Sequence, residues 1–228
     1  MKLHTLGAAA ALFFAASPAF AQFVIEVDID GQDDGVLTYS PNFGFGSDTT
    51  TASQSAASSA VGLTGGDSIY GGNATSGLDT YLFTYTPSVD GNNRDLAAGT
   101  ELNDDGDVAS GVEAGGSGAY NVYGTWPFTD NVSGGTTTFT LSDDQANVLF
   151  TTEIDQNGGG SGTGNEWVFL GSATLDADTT YTLSQVAGSN TFVSMRAAGV
   201  LFDAVAVPEP MGIAAAAGFG LLALRRRR

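Results

Sequence analysis

The sequence contains no cysteine and only one histidine, His4, among its 228 residues. Without cysteine the protein has no disulfide, no thiolate metal site and no thiol nucleophile. Ser-His-Asp triads and histidine-ligated zinc sites both need histidine, and both are excluded if His4 is removed during export. The chemistry left for catalysis is a pair of carboxylates, as in glycoside hydrolysis.

Positive charge is also scarce. Seven Lys and Arg residues stand against 25 Asp and Glu residues, for a formal net charge of -18. Between residues 22 and 206 only Arg94 and Arg196 oppose 24 acids, and the formal charge there is -22. Such a surface repels nucleic acid, acidic polysaccharides and anionic lipid headgroups. We therefore expect no nucleic-acid partner.

Residues 1–21 have the pattern of a secretory signal peptide. A short apolar run over residues 6–16 is followed by Ala19 and Ala21, which have the small-x-small spacing that a signal peptidase accepts. As a helix the apolar run would be roughly 16 Å long, too short to span a bilayer. We expect signal peptidase to cut after Ala21 and to leave residues 22–206 as one exported domain.

Residues 207–228 show a second pattern, built from three parts in order. The motif Pro208-Glu209-Pro210 precedes an apolar stretch over residues 211–224, and a basic cluster follows, made of Arg225, Arg226, Arg227 and Arg228. As a helix the apolar stretch would be about 21 Å long, against a hydrocarbon core of roughly 30 Å. The arginines would hold its end on the cytoplasmic side. An ordinary short tail anchor is one interpretation.

This three-part tail resembles the PEP-CTERM sorting signal of bacteria whose export is linked to exopolysaccharide. The resemblance implies that an exosortase, a membrane transpeptidase-like enzyme, recognises the tail. It also implies an intermediate anchored transiently in the inner membrane by a short transmembrane helix. The final location would be the cell surface or the extracellular matrix.

The region between the two signals alternates short apolar runs with turn residues. This pattern predicts an all-β fold, an antiparallel β-sandwich of jelly-roll-like type, with residues 51–60 as a loop. The predicted strands cover residues 23–29, 81–86, 119–126, 136–141, 148–154, 167–175, 179–186 and 200–205.

Residues 118–205 resemble the golvesin and xanthan-lyase C-terminal-like domains. The resemblance rests on an aromatic strand, an Asp-Gln turn and two later strands, at residues 118–127, 152–158, 165–171 and 199–205. It implies a non-catalytic accessory domain of exported proteins, similar to carbohydrate-binding modules. Two interpretations of Trp126 and Trp167 stay open: packing between the sheets, or an exposed platform on which a sugar ring stacks.

Two groups of acidic and amide residues have spacings that suit either a turn or a calcium ion. Asx side chains commonly cap turns, and closely spaced carboxylates are also what calcium needs. Neither group fits the EF-hand loop, and no other cofactor is expected. The groups are Asp28, Asp30, Asp33 and Asp34, and Asn103, Asp104, Asp105 and Asp107.

Two functions follow from these patterns. The first is an exported, non-catalytic protein of the cell envelope or extracellular matrix, whose sandwich contacts exopolysaccharide. The alternative is a surface polysaccharide hydrolase that uses two carboxylates. A cleft with two facing acids about 5 to 10 Å apart would favour the hydrolase.

Overall fold

The computed structural model describes residues 22–47, 49–71, 73–74, 77–90, 101–102, 108–109, 116–128, 136–156, 164–188 and 195–205. About half of these residues lie in strands, and the described part of the chain has one short helix, α1 (Pro87–Asp90). The strands are β1 (Gln22–Glu26), β2 (Phe43–Phe45), β3 (Ser53–Ser55), β4 (Ser68–Gly71), β5 (Asn73–Ala74), β6 (Gly77–Leu78), β7 (Thr80–Tyr85), β8 (Glu101–Leu102), β9 (Val108–Ala109), β10 (Gly118–Thr125), β11 (Thr137–Ser142), β12 (Val148–Ile154), β13 (Val168–Leu175), β14 (Tyr181–Ala187), β15 (Met195–Ala197) and β16 (Gly199–Ala204).

Two antiparallel sheets face each other across the core. One has four strands in the order β1-β16-β10-β13, and the other has five in the order β12-β11-β14-β7-β2. A three-stranded sheet, β15-β4-β3, adjoins them, because β15 leads directly into β16. The predicted all-β antiparallel sandwich is confirmed, and each of the eight predicted strands has a counterpart. β3 lies inside the segment that was predicted to be a loop.

The core forms because each strand turns alternate side chains inward. In β7, Tyr81, Phe83 and Tyr85 are fully buried and alternate with half-buried residues. Tyr85 stacks on Phe23 of the opposite sheet, with ring centroids 5.1 Å apart, and on Phe202 at 4.5 Å. Burying each of these large side chains contributes roughly 1.5–3 kcal/mol. Aromatic contacts between the sheets therefore hold the sandwich together.

The outward face of the four-stranded sheet carries a row of apolar residues that runs across all four strands. The register pairs Val24 with Leu201, Leu201 with Tyr123, and Tyr123 with Phe169. These residues alternate along their strands with core residues such as Phe202, so their side chains point away from the core. One part of this row is buried, at Val24 and Leu201, and another is exposed, at Phe169.

The predicted signal peptide and the predicted sorting signal lie outside the described residues. Ala19 and Ala21 precede these residues, and the Pro208-Glu209-Pro210 motif with the arginine cluster follows them. Within the described ranges, no helix has the length and hydrophobicity needed to cross a membrane. The predictions about export and sorting stay predictions.

Candidate functional site

Trp126 belongs to the core. Its side chain is 1% exposed and stacks on Phe139, with ring centroids 6.1 Å apart and 23° between the planes. A sugar ring could reach this indole only if the two sheets separated. The prediction of a carbohydrate contact at Trp126 is therefore wrong, and the core-packing interpretation holds.

Trp167 lies on the opposite side of the four-stranded sheet from that core. Its half-buried indole packs against Val24 and Leu201, together with Leu63 and Tyr123. The indole N–H donates a hydrogen bond to the carbonyl of Val61 at 2.9 Å. Packing between the sheets is thus the wrong interpretation for Trp167, and the residue is partly exposed.

A β-bulge places a second exposed ring beside Tyr123. The register between β10 and β13 pairs Val122 with Gly171 and then Tyr123 with Phe169, so Leu170 is the extra residue. Leu170 is 2% exposed and turns into the core, whereas Phe169 is 52% exposed. The centroids of the Tyr123 and Phe169 rings are 5.6 Å apart. We call the set Tyr123, Trp167 and Phe169 the aromatic face.

Polar side chains border the aromatic face on one side. The register places Asn121 opposite Ser172 in the next outward row, and the Ser172 hydroxyl donates to Asn121 Oδ1 at 2.7 Å. Beyond them the exposed pair Ala119 and Thr174 continues the outward face. Asn121 and Ser172 are uncharged hydrogen-bonding groups next to exposed rings, and the buried Asp203 lies on the other side of Asn121.

Residues 56–66 bound the aromatic face on another side, and we call them the strap. The Ser58 and Thr125 hydroxyls are 2.9 Å apart and both side chains are buried. The Thr64 hydroxyl donates to Glu26 Oε2 at 2.7 Å, and the Thr64 backbone N–H donates to the same carboxylate at 2.9 Å. The strap therefore covers the outward side chains at one end of the sheet.

The first acidic group forms turns. Asp30 Oδ1 accepts the N–H of Gln32 at 2.8 Å, and Asp34 Oδ1 accepts the N–H of Val36 at 2.9 Å. Within the described part of the chain, no three His, Cys, Asp or Glu side chains are arranged to hold a metal ion. Asp30 and Asp34 therefore cap turns, whereas Asp28 and Asp33 make other contacts. The group at Asn103, Asp104, Asp105 and Asp107 lies outside the described residues.

Asp28 is the buried member of the first group. Its carboxylate accepts the backbone N–H groups of Thr38 at 2.6 Å and Asp67 at 2.9 Å, and its side chain is 0% exposed. Burial raises the pKa of Asp28 above its usual 3.8, because these hydrogen bonds offset only part of the lost hydration. The carboxyl holds two chain segments together.

One pair of carboxyl groups meets directly. Asp33 and Asp67 are hydrogen-bonded to each other, which raises the pKa of Asp33. Burial acts to raise the pKa of Asp67, but hydrogen bonds from Gln54 and Gly35 outweigh it and the pKa is lowered. Glycoside hydrolysis uses carboxyl groups about 5–5.5 or 6.5–9.5 Å apart. A directly bonded pair does not have that separation.

Sequence reasoning nominated the tryptophans and missed Tyr123 and the position of Phe169. A regular alternation puts Trp167, Phe169 and Gly171 on one face, but the bulge at Leu170 turns Gly171 inward and leaves Phe169 outside. A bulge has no reliable sequence signal here. The signal that could have been used is the pairing of two aromatic residues on neighbouring strands.

No family model matches the chain, and no curated protein sequence matches it. Solved structures with weak similarity include the isomalto-dextranase of Arthrobacter globiformis T6 complexed with panose, at 12% identity and a TM-score of 0.35 over 71% of this chain. Another is endo-1,4-β-D-xylanase 10B of Clostridium thermocellum, whose CBM22-1 and GH10 modules are complexed with xylohexaose. It shows 16% identity and a TM-score of 0.31 over 81% of this chain. The matches span 21% and 27% of those two chains.

Proposed function

We propose that this protein is an exported, non-catalytic β-sandwich that binds carbohydrate through the aromatic face. The observation that carries the proposal is Phe169, which is 52% exposed and in ring contact with Tyr123 on an outward sheet face. The C–H faces of a sugar ring pack well on aromatic rings, and its hydroxyls need hydrogen-bonding partners nearby. Asn121 and Ser172 supply such partners at the border.

The charge of the site supports a glycan over other ligands. The rings and the bordering Asn121, Ser172 and Thr174 are uncharged, in a region whose formal charge is -22. A nucleic acid or an anionic membrane would be repelled by that charge. A neutral sugar would meet no such barrier, and it would gain both stacking and hydrogen bonds.

The test is a binding measurement with neutral polysaccharides. Dextran, laminarin, xylan and pullulan are offered to the purified protein in affinity electrophoresis, and the retained ones are titrated by calorimetry. Removing the exposed ring with Phe169→Ala should weaken binding about tenfold, which corresponds to roughly 1.4 kcal/mol.

The matched control is Phe128→Ala. Phe128 is 51% exposed, as Phe169 is, but it follows the end of β10 and lies outside the aromatic face. Its removal should leave affinity unchanged. Equal losses in both variants, or binding to none of these polysaccharides, would remove the basis for the proposed function.

We also propose that the tail sorts the protein. The Pro208-Glu209-Pro210 motif, the apolar stretch and the arginine cluster support processing by an exosortase after signal peptidase has acted. Release at the cell surface or into the extracellular matrix would bring the aromatic face to exopolysaccharide. Replacing the three motif residues by alanine should leave the tail uncut and the protein in the inner membrane. Normal processing of that variant would contradict the sorting proposal.

A further inference from the structure

We propose that the aromatic face recognises the end of a neutral glycan chain rather than an internal segment. The proposal rests on the carbohydrate-binding function above. End recognition follows from the surroundings of the aromatic face, which other side chains close on two adjoining sides and leave open on the other two.

The strap closes the first side. The outward row next to the aromatic face contains Glu26 and Thr125, which the register places on either side of Gly199. Both side chains point outward, yet they are only 2% and 1% exposed. Thr64 and Ser58 of the strap bond to them directly. A glycan lying along β10 would meet the strap at this point.

The covered part of the apolar row closes the second side. From Tyr123 the row continues across the sheet to Leu201 and Val24, which are 4% and 0% exposed. Leu63 of the strap and the indole of Trp167 pack over them. A glycan lying across the strands would therefore meet these side chains beyond Tyr123. The exposed rings therefore lie in the corner where the two closed sides meet.

The open sides define the path of a bound chain. From Phe169 the outward face continues over Asn121 and Ser172 to the exposed Ala119 and Thr174, along the direction of β10 and β13. A terminal sugar can stack in the corner while the following sugars lie over this polar border. A straight internal segment centred on the same rings would have to continue through one of the two closed sides.

The strap also positions a ring of the site. The Val61 carbonyl accepts the Trp167 N–H at 2.9 Å, so the placement of the strap fixes the orientation of the indole. The Glu26 carboxylate anchors the strap through the backbone and hydroxyl of Thr64. Glu26 and Thr64 are thus positioning residues. They act through the orientation of Trp167 and through the strap, which forms the wall on the first closed side of the aromatic face.

The experiment tests whether binding depends on the number of chain ends or on the total mass of polysaccharide. An unbranched polysaccharide that the protein retains, such as pullulan, is partly hydrolysed to chains about ten times shorter, and both forms compete for the protein on an immobilised sample of the same polymer. Branched dextran and laminarin are left out of this comparison, because their branches already supply many chain ends. If ends are recognised, the shortened form should inhibit at about one tenth of the mass concentration, because ends are the binding sites. Equal potency by mass, or greater potency of the long form, would overturn end recognition.

Failure of the proposed function gives a different result. In that case no polymer, long or short, competes in a manner that depends on Phe169. If binding does depend on Phe169 but follows mass, carbohydrate binding stands and only end recognition is lost. The two hypotheses can therefore fail separately in one set of titrations.

A variant of the strap tests the wall. Thr64→Val removes the hydroxyl that bonds to Glu26, and the loosened strap should bring the ratio of the two potencies closer to one. Thr38→Val is the matched control. It removes a hydroxyl that donates a 3.4 Å hydrogen bond to Asp30, and neither residue belongs to the aromatic face. A ratio that Thr64→Val leaves unchanged would overturn the role of the strap as the wall.

Discussion

The backbone N–H of Arg196 donates to Oε1 of Gln156 at 2.8 Å, and Nε2 of Gln156 donates back to the carbonyl of Arg196 at 2.8 Å. A third bond runs from Arg196 Nη2 to the Gln156 carbonyl at 2.7 Å. The two side chains are 2% and 1% exposed. This reciprocal pairing joins the segment after β12 to β15 inside the protein, where water cannot replace the lost partners.

Shortening Gln156 should therefore be costly. Gln156→Ala leaves the backbone N–H and a share of the carbonyl bonding of Arg196 without partners, and we expect a loss of about 3 kcal/mol in the free energy of unfolding. Urea unfolding followed by tryptophan fluorescence measures it. Gln145→Ala, in the exposed turn between β11 and β12, should stay within roughly 0.5 kcal/mol. Similar losses in both variants would contradict a structural role of the pairing.

At Ala146 we expect a substitution to stabilise the protein, because glycine suits the backbone conformation there better than alanine does. Its φ is 64°, in the left-handed region where a Cβ atom is strained. Ala146→Gly relieves that strain but makes the unfolded chain more flexible, and the balance should raise the free energy of unfolding by about 0.5 kcal/mol. Ala173→Gly in β13 is the contrasting variant and should lower it. A lower stability for Ala146→Gly would show that the turn is not strained.

The turn that contains Ala146 also gives a pH dependence. A hydrogen bond from the Asn147 side chain at 2.7 Å lowers the pKa of Asp143 below its usual 3.8. A lowered folded pKa contributes stability above pH 3.8, and that stability is lost as the pH falls through the folded value. Asp143→Ala should therefore be less stable than the parent protein at pH 7, and the difference should shrink toward pH 2. Thermal unfolding at a series of pH values measures it.

The control for this pH dependence is the exposed neighbour, Asp144. Asp144→Ala changes the formal charge in the same way but removes none of the bonds that Asp143 makes with Asn147 and Gln145. Because those bonds remain, Asp144→Ala should lose less stability at pH 7 than Asp143→Ala does. A parallel pH profile for the two variants would assign the effect to net charge.

Gly171 is needed for the packing of the two sheets. A Cβ atom there would lie 2.8 Å from the ring of Phe150, closer than side chains tolerate. Gly171→Ala should cost about 2 kcal/mol, since overpacking a core typically costs 1–3 kcal/mol. Introduced together with Phe150→Leu, the same change should cost less than it does alone. Fully additive losses in the double variant would show that the two residues do not compete for space.

The fold was predictable from sequence where strands are regular. β7 and β14 alternate buried and half-buried residues without interruption, and Pro87 ends the run after β7 as expected. β4 and β15 were missed, because each is short and its pairing is set by distant residues. Arg196 pairs with Tyr70 across more than a hundred positions in sequence. No local pattern carries that information.

The site was less predictable than the fold. Whether an aromatic residue is buried depends on which segment covers it, and the strap comes from residues far from β10 and β13. Trp126 and Trp167 are each the terminal residue of a predicted strand, yet one lies between the sheets and the other is hydrogen-bonded to Val61 of the strap. The local bulge at Leu170 then decides that Phe169 faces outward.

The position of β16 has a consequence for the order in which the fold forms. This strand lies between β1 and β10, so the four-stranded sheet cannot close until residues near 204 have emerged. A chain halted earlier would leave the inward side chains of β1 and β10 without their central neighbour. We therefore expect the native state to form only once the chain is available through β16, so that residues 22–198 alone should not reach it.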